Sequence, residues 1–565
     1  MVDYREKDFN VKQLGSFYSE EKTLFRVFAP ESKQVFLVIN DHKYEMHQDG
    51  FIFQICLKGN LELLKYHYEN DLGLTYRDPF AYYCDENDSY VLDVRKFDRT
   101  IVTPDDIDDI FIYETSVRDF SSDESFPGQY HKKFLSLAEE NLKLHDYYMV
   151  GLDYIKNIGY THVQLMPSLE FDNDNSDYNW GYNPVYYNCL EKDYIQDDKN
   201  PYAYINEFRS VVNNLHRNNL RVTLDVVFNH VYDYKTFDLN KMIPNHIFRY
   251  KPDGSVAQGT FCGNEIRSED YFVRAYLIEM VERYIKLFDI DGVRYDLMGI
   301  IDYITINKMQ QRLQEVKPGF ICYGEGWNMG DVLLEQYRAA SINAEKMPNI
   351  GFFNDFFRDN ITSYVCGNTE VTDNVKLALS GNNNNLKYLQ SVNYVECHDN
   401  YTFFDRTITM FGTNNLQENI AMSKLALALT ILARGVPFVH SGQEFLRTKK
   451  LVENSYNSGD NVNYIDWNRR VEYNAICDYT KELIEFRKSH NEFVRLDTKV
   501  SFEDFFGCLV YKLNKLKVVI NPSSYEYDYH EDEQFKVVFD NNGRCDYRTN
   551  SIKIPAHCLV ICEIV

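Results

Sequence analysis

The chain lacks any Cys-x-x-Cys pair, although it carries 12 cysteines. That spacing is the local signature of thiolate metal sites and dithiol redox motifs, and neither is announced here. Cys56, Cys322, Cys508, Cys558 and Cys562 lie inside apolar runs, where free thiols behave as small buried hydrophobes. The N-terminal Met1-Val-Asp-Tyr-Arg-Glu-Lys-Asp is polar and has no apolar secretory core. No stretch is long and apolar enough to span a bilayer. The expectation is a cytoplasmic protein with reduced thiols. Positive charge is also scarce. Lys and Arg number 60 against 85 Asp and Glu, for a formal net charge of −25. Such a chain is a poor partner for nucleic acid or for an anionic membrane, whereas a neutral ligand is indifferent to its charge. Repeats are absent. Low complexity is confined to Gly381-Asn-Asn-Asn-Asn385, expected to be a surface turn. Nothing in the sequence speaks to oligomeric state.

What is present divides into three parts. At 565 residues, 44% hydrophobic, the chain can bury a large core and exceeds one ordinary domain. Residues 1–105 read as short strands: Phe25 and Val27 before Ala29-Pro30, then Lys33–Asn40 and Phe51–Leu57, with Asp49-Gly50 as a turn. That spacing predicts a β-sandwich. Residues 106–487 alternate strand-like and helix-like stretches. Asp109–Glu114 and Thr161–Met166 read as strands. Ala275, Ile278, Val281, Ile285 and Phe288 recur at helical spacing, with Glu279, Glu282, Arg283 and Lys286 on the other side. Residues 488–565 return to strands at Cys508–Leu513, Lys517–Asn521 and Cys558–Ile564, predicting a second small β-sandwich.

Four strings carry the chemistry: Thr223-Leu-Asp-Val-Val-Phe-Asn-His230, Asp291-Gly-Val-Arg-Tyr-Asp296, Tyr323-Gly-Glu-Gly-Trp327 and Asn393-Tyr-Val-Glu-Cys-His-Asp-Asn400. Each runs from apolar or β-branched residues into polar ones, as a barrel strand does when it ends at an active site. Strand alternation puts Arg294 and Asp296 on one face, so the arginine can hold that carboxylate ionised and oriented. Glu325 lies 29 residues beyond Asp296, close to the roughly 30 residues of a strand, crossover helix and next parallel strand. The predicted helix, Asp302 to Gln314, stops before Pro318-Gly319. Taken singly, Asp-x-x-x-Asn-His is a capped turn, Gly-Glu-Gly a bend, and His230 and His398 core histidines. Taken in order, at barrel-like intervals, the strings supply the paired carboxylates of a retaining glycosidase. The alternation and the recurring polar strand ends favour a (β/α)8 TIM barrel over an open sheet.

These strings resemble the conserved regions of glycoside hydrolase family 13, the α-amylase family. Tyr178-Asn-Trp-Gly-Tyr-Asn-Pro184 is similar to a string of its type I pullulanases. The segments Asp291–Gly299, Tyr323–Trp327, Glu444–Lys449, Ile112–Phe120 and Asn454–Asp460 point the same way. Thr23–Pro30 resembles the start of a family 48 carbohydrate-binding module, which acts either as a glucan-binding face or as a structural brace. The resemblance implies an α-1,6-glucosidase acting on branched α-glucan or maltodextrin. Asp296 would be the nucleophile, Glu325 the acid/base, and Asp399 a grip on sugar hydroxyls that strains the ring. His230 and His398 would bind hydroxyls, Arg294 would orient Asp296, and Asp225 would brace Arg294. Tyr182 and Trp327 would stack on sugar rings on either side of the cut. Two departures stand out: Asn183 replaces the usual Asp and Ser116 a usual His. No cofactor is required. Calcium could be held at Asp172–Asp177 or near Asn229, and the sequence does not demand it. The alternatives are an isoamylase-type debrancher, an α-1,4-acting family 13 enzyme, and an inactive glucan-binding protein. Intact Asp296, Glu325 and Asp399 weigh against the last.

Overall fold

Eight parallel strands close into a barrel: β1 Ile112–Thr115, β2 His162–Leu165, β3 Arg221–Val226, β4 Gly292–Tyr295, β5 Ile321–Gly324, β6 Gly351–Phe353, β7 Ser391–Asn393 and β8 Val436–His440. The structure, a computed structural model, describes residues 2–382, 385–505 and 507–564. The expected turn at Gly381–Asn385 therefore falls partly outside the described residues.

Strand alternation divides the side chains between two cores. Val222, Leu224 and Val226 of β3 and Val293 and Tyr295 of β4 point outward and are fully buried under the helices. Their neighbours Asp225 and Arg294 point into the barrel, paired in register across β3 and β4. Below them Ile112, Tyr323, Phe353, Val392 and Phe438 fill the interior, so the barrel is a packed plug with its polar groups at one end.

Capped helices connect the strands. Asp270 accepts from the first-turn amides of Tyr271–Phe288 between β3 and β4. Asp302 does the same for Tyr303–Val316 between β4 and β5. The helix Tyr271–Phe288 departs from the expected one-sided burial. Glu279 and Glu282, expected on a polar face, are buried. The reason is the N-terminal part. Phe28 stacks on Phe272 with ring centroids 4.7 Å apart, and Lys12 Nζ donates to Glu282 at 2.7 Å. Glu282 also receives Lys286 and Arg312, which holds its carboxyl far below the usual range despite burial.

The N-terminal part is a pair of antiparallel sheets, one of Gly15–Tyr18, Lys22–Phe28, Ile52–Lys58 and His47–Asp49, the other built on Val35–Ile39 and Lys65–Asn70. Phe25 of one meets Tyr66 of the other edge to face at 5.0 Å. Cys56, expected inside, is exposed. It alternates with Phe53 and Ile55 onto the outer side of its strand. The C-terminal strands form a six-stranded antiparallel sheet. One face, with Leu509, Tyr511, Val518 and Ile561, packs on the barrel. The other holds a second core of Val510, Val519, Val537 and Val560 with Tyr529 and Ile554. Its long hairpin, Tyr527–Asp540 with Gly543–Ile554, has two register shifts and was not visible as apolar alternation. Bulges of that kind bend a strand and let it cover its own core. Among the described residues no helix is long and apolar enough to cross a membrane.

Candidate active site

Arg294 organises the polar end of the barrel. Its Nη1 donates to Asp225 Oδ1 and to Asp296 Oδ1, each at 3.0 Å, and its Nη2 donates to Glu325 Oε1. The three acids come from β3, from the residue after β4 and from the residue after β5. One buried guanidinium thus fixes two carboxyl groups side by side and braces itself on a third.

The remaining donors differ between the two. Asn229 gives its Nδ2–H to Asp296 Oδ2 at 2.7 Å and to the Asp296 carbonyl at 2.9 Å. Both Asp296 carboxylate oxygens are therefore held as acceptors. Glu325 receives the backbone N–H of Leu297 at Oε2, 3.1 Å away. Leu297 has φ 39°, in the left-handed region that bulky residues avoid, and this turn aims its amide at Glu325. Burial raises the Glu325 carboxyl well above the usual range. The Asp296 and Asp399 charges add to the rise and Arg294 opposes it. Repulsion between the neighbouring carboxylates is present but smaller than the effect of burial. Burial also lifts Asp225 to about 6, against the pull of Arg294.

A buried relay lies beneath. Tyr323 O–H donates to Gln164 Oε1 at 2.6 Å, and Gln164 Nε2 donates to Glu114 Oε1 at 3.1 Å. Glu114 accepts the backbone N–H and the Nδ1–H of His398, both at 2.8 Å. Burial works against both ions. Their mutual attraction nevertheless raises the His398 imidazole and lowers the Glu114 carboxyl. His398 is thereby fixed flat against Tyr182, with ring centroids 5.0 Å apart and planes 20° apart. Tyr182 donates its hydroxyl to Asp225 Oδ2 at 2.7 Å. His230 lies between Asn229 Oδ1 (2.6 Å) and the Tyr182 carbonyl (3.0 Å), and burial lowers its pKa.

These groups open onto a cleft of about 750 Å³. Asp296, Glu325, Asp399, Tyr182, His230, His398 and Trp327 all line it, while Asp225 and Arg294 stand behind. Trp327 donates its indole N–H to Asp355 at 2.6 Å, and Tyr394 O–H also donates to Asp355. The backbone there is tightly packed. A Cβ on Gly299 would stand 1.8 Å from the Trp327 carbonyl oxygen. The structure places all nine residues named from the sequence at this end of the barrel. Sequence reading gave no role to Glu114, Gln164, Tyr323 or Asp355. An acid at the centre of an apolar strand, as in Ile112-Tyr-Glu-Thr115, was the available signal for the first.

The two departures have local explanations. Asn183 donates its Nδ2–H to the Asp172 carbonyl at 3.3 Å, which a carboxylate cannot do. Ser116 caps the short helix Val117–Ser121 by accepting from Asp119 N at 3.2 Å. Of the residues considered for calcium, Asp172 accepts from Asp174 N, Asp174 accepts from Tyr232 O–H, and Asn229 Oδ1 lies 2.6 Å from His230 Nδ1. Among the described residues no group of three His, Cys, Asp or Glu converges as metal ligands would.

A closed parallel barrel with two such carboxyl groups at its strand ends has the architecture of a glycoside hydrolase. Comparison narrows the class. A pullulanase from Bacillus subtilis is 33% identical over 544 residues, covering 88% of this chain and 74% of that protein. A solved pullulanase from Anoxybacillus sp. LM18-11, in complex with maltotetraose, superposes with a TM-score of 0.92 at 31% identity. It covers 99% of this chain and 89% of that one. A pullulanase from Paenibacillus barengoltzii with maltohexaose and α-cyclodextrin gives 0.92 at 32%, over 99% and 96%. No family model matches the chain. The chain belongs to the type I pullulanases of glycoside hydrolase family 13, enzymes that act on α-1,6-glucosidic bonds.

Proposed function

We propose that this enzyme opens the α-1,6 branch bonds of pullulan and related branched α-glucans with net retention, using Asp296 and Glu325. Asp296 attacks the anomeric carbon while Glu325 passes its proton to the departing O6, leaving a glycosyl ester on Asp296. Glu325, now a carboxylate, takes a proton from water, and that water's oxygen displaces the ester. The observation that carries the reading is the shared guanidinium. Arg294 holds both carboxyl groups close together, the arrangement of retaining enzymes rather than the wider spacing that leaves room for a direct water attack. The raised Glu325 pKa supports its part as the acid.

The other residues take supporting parts. Asp399 and His398, whose pKa Glu114 raises, grip hydroxyls of the sugar at the cut. His230, with both ring nitrogens engaged by Asn229 and Tyr182, lines the same pocket, and Tyr182 forms the platform beneath the sugar. Trp327, two residues beyond the acid, meets the leaving chain. The N-terminal sandwich, similar to a family 48 carbohydrate-binding module, serves first as a brace on the barrel. The Phe28–Phe272 stack and the Lys12–Glu282 pair support that reading. None of these steps calls on a metal.

Product analysis on pullulan tests the proposal. Maltotriose, with linear amylose nearly untouched, is expected. Panose or isopanose would mean cleavage at α-1,4 bonds. Weak action on pullulan with rapid debranching of glycogen would move the enzyme to the isoamylase-type reading.

A further inference from the structure

Phe261 lines the cleft and is 89% exposed, more than any other large apolar side chain in the protein's described residues. Its backbone is also out of the ordinary, with φ 61°. A bulky residue in the left-handed region is unfavourable, and an aromatic ring left in water gains nothing from burial. Two local costs at one cleft residue are the pattern expected where strain is kept for function.

The loop that carries Phe261 is built rather than loose. Phe261 N donates to the Gln258 carbonyl (3.2 Å), and Thr260 Oγ1 donates to the Gly263 carbonyl (3.0 Å) while accepting from Cys262 N (3.1 Å). The loop is tied on both sides. Asn264 exchanges two hydrogen bonds with the backbone of Val231, directly after His230. Glu265 accepts from Gly259 N (2.9 Å) and from Asp331 N (2.7 Å), in the loop that follows Trp327. Phe261 is therefore held between the ends of β3 and β5, over β4. That is the side of the cleft occupied by Leu297, Trp327 and Met329, and by the acid Glu325. A general acid protonates the leaving oxygen, so the departing chain must lie on its side.

We infer that Phe261 is a specificity-determining residue for the leaving chain, a second stacking platform beyond Trp327 that grips a glucose unit further from the cut. The inference rests on the α-1,6 debranching function proposed above. A rigid, pre-aimed ring binds a sugar face without first being ordered, which is why the loop holds it exposed.

The test compares wild type with Phe261→Ala, Phe261→Gly and Phe261→Trp on two substrates. One is pullulan. The other is an aryl α-maltotrioside, whose activated leaving group has no sugar chain. Loss of the platform should raise KM for pullulan about three- to tenfold with little change in kcat. The aryl substrate should be unaffected, and Phe261→Trp should retain the wild-type KM. Phe261→Gly, which relieves the left-handed strain, should melt no lower than wild type, showing that a weakened pullulan KM is not unfolding. An unchanged pullulan KM in Phe261→Ala, or equal losses on both substrates, overturns the inference. A wild-type enzyme that releases no maltotriose overturns the underlying function instead.

Discussion

Replacing Arg294 separates positioning from charge. Arg294 makes charge-assisted bonds to Asp225, Asp296 and Glu325 from a guanidinium with no contact with solvent to speak of. Arg294→Lys keeps the charge and loses the planar fork. A hydrogen bond to a charged group contributes about 1.5–3 kcal/mol. If the bond to Asp296 is lost and its value appears in the transition state, kcat falls about ten- to 150-fold. Arg294→Met removes the charge as well. Breaking a buried ion pair by deleting one partner costs about 3–5 kcal/mol, so this variant should also melt below Arg294→Lys. The pH profile carries the sharper sign. Arg294 lowers the Glu325 and Asp225 pKa values, against the larger effect of burial. Without it both rise. In the proposed mechanism Glu325 is protonated to release the leaving sugar, so activity is lost as pH climbs through its pKa. A higher pKa moves the alkaline limb of kcat/KM to higher pH in Arg294→Met, and much less in Arg294→Lys. Reducing-end release from pullulan across pH, with thermal melts of each variant, reads all three effects. A kcat for Arg294→Lys within about threefold of wild type would be under 1 kcal/mol and would refute the positioning argument. An unmoved alkaline limb in Arg294→Met would refute the electrostatic one.

The other expectations are simpler. Proton NMR of freshly cut substrate should show the α-anomer first, and initial β-anomer would mean direct attack by water. Glu325→Gln should be slow on pullulan yet recover on a substrate whose leaving group needs no proton. Absence of recovery would assign Glu325 another part. Gly299→Ala places a methyl group 1.8 Å from the Trp327 carbonyl, so Trp327 must shift. A raised KM for pullulan is expected, and wild-type kinetics would show that the indole position is irrelevant to the leaving chain.

The strand ends were legible in the sequence because each joins two signals, an apolar β-branched run and an abrupt polar stop. The spacing of Asp296 and Glu325 then reported their adjacency on neighbouring strands. What stayed hidden is what crosses the barrel. Glu114 meets His398 284 residues later. No local pattern records such a contact, although a buried glutamate in a strand must find a partner somewhere. Helix Tyr271–Phe288 misled for a related reason. Its charged face reads as solvated until the N-terminal segment, more than 250 residues earlier, is laid across it. Cys56 failed because an apolar run identifies a strand and does not say which of its faces is covered. Phe261 was passed over because a lone aromatic in a polar loop carries no period at all.

The buried relay bears on how one site gives two carboxyl groups different surroundings. Asp296 and Glu325 share Arg294, so that contact alone does not distinguish them. The distinction comes from what else reaches each group. Asp296 has an amide donor on its second oxygen, from Asn229. Glu325 has a backbone amide from Leu297 on its second oxygen, and burial with the negative fields of Asp296 and Asp399 raises its pKa. His398 is tied at Nδ1 to Glu114 on β1, across the barrel from β5. The attraction of Glu114 raises the His398 imidazole and fixes its ring at the wall of the cleft. Proton placement in this cleft follows from the arrangement of neighbours around two chemically similar carboxyl groups.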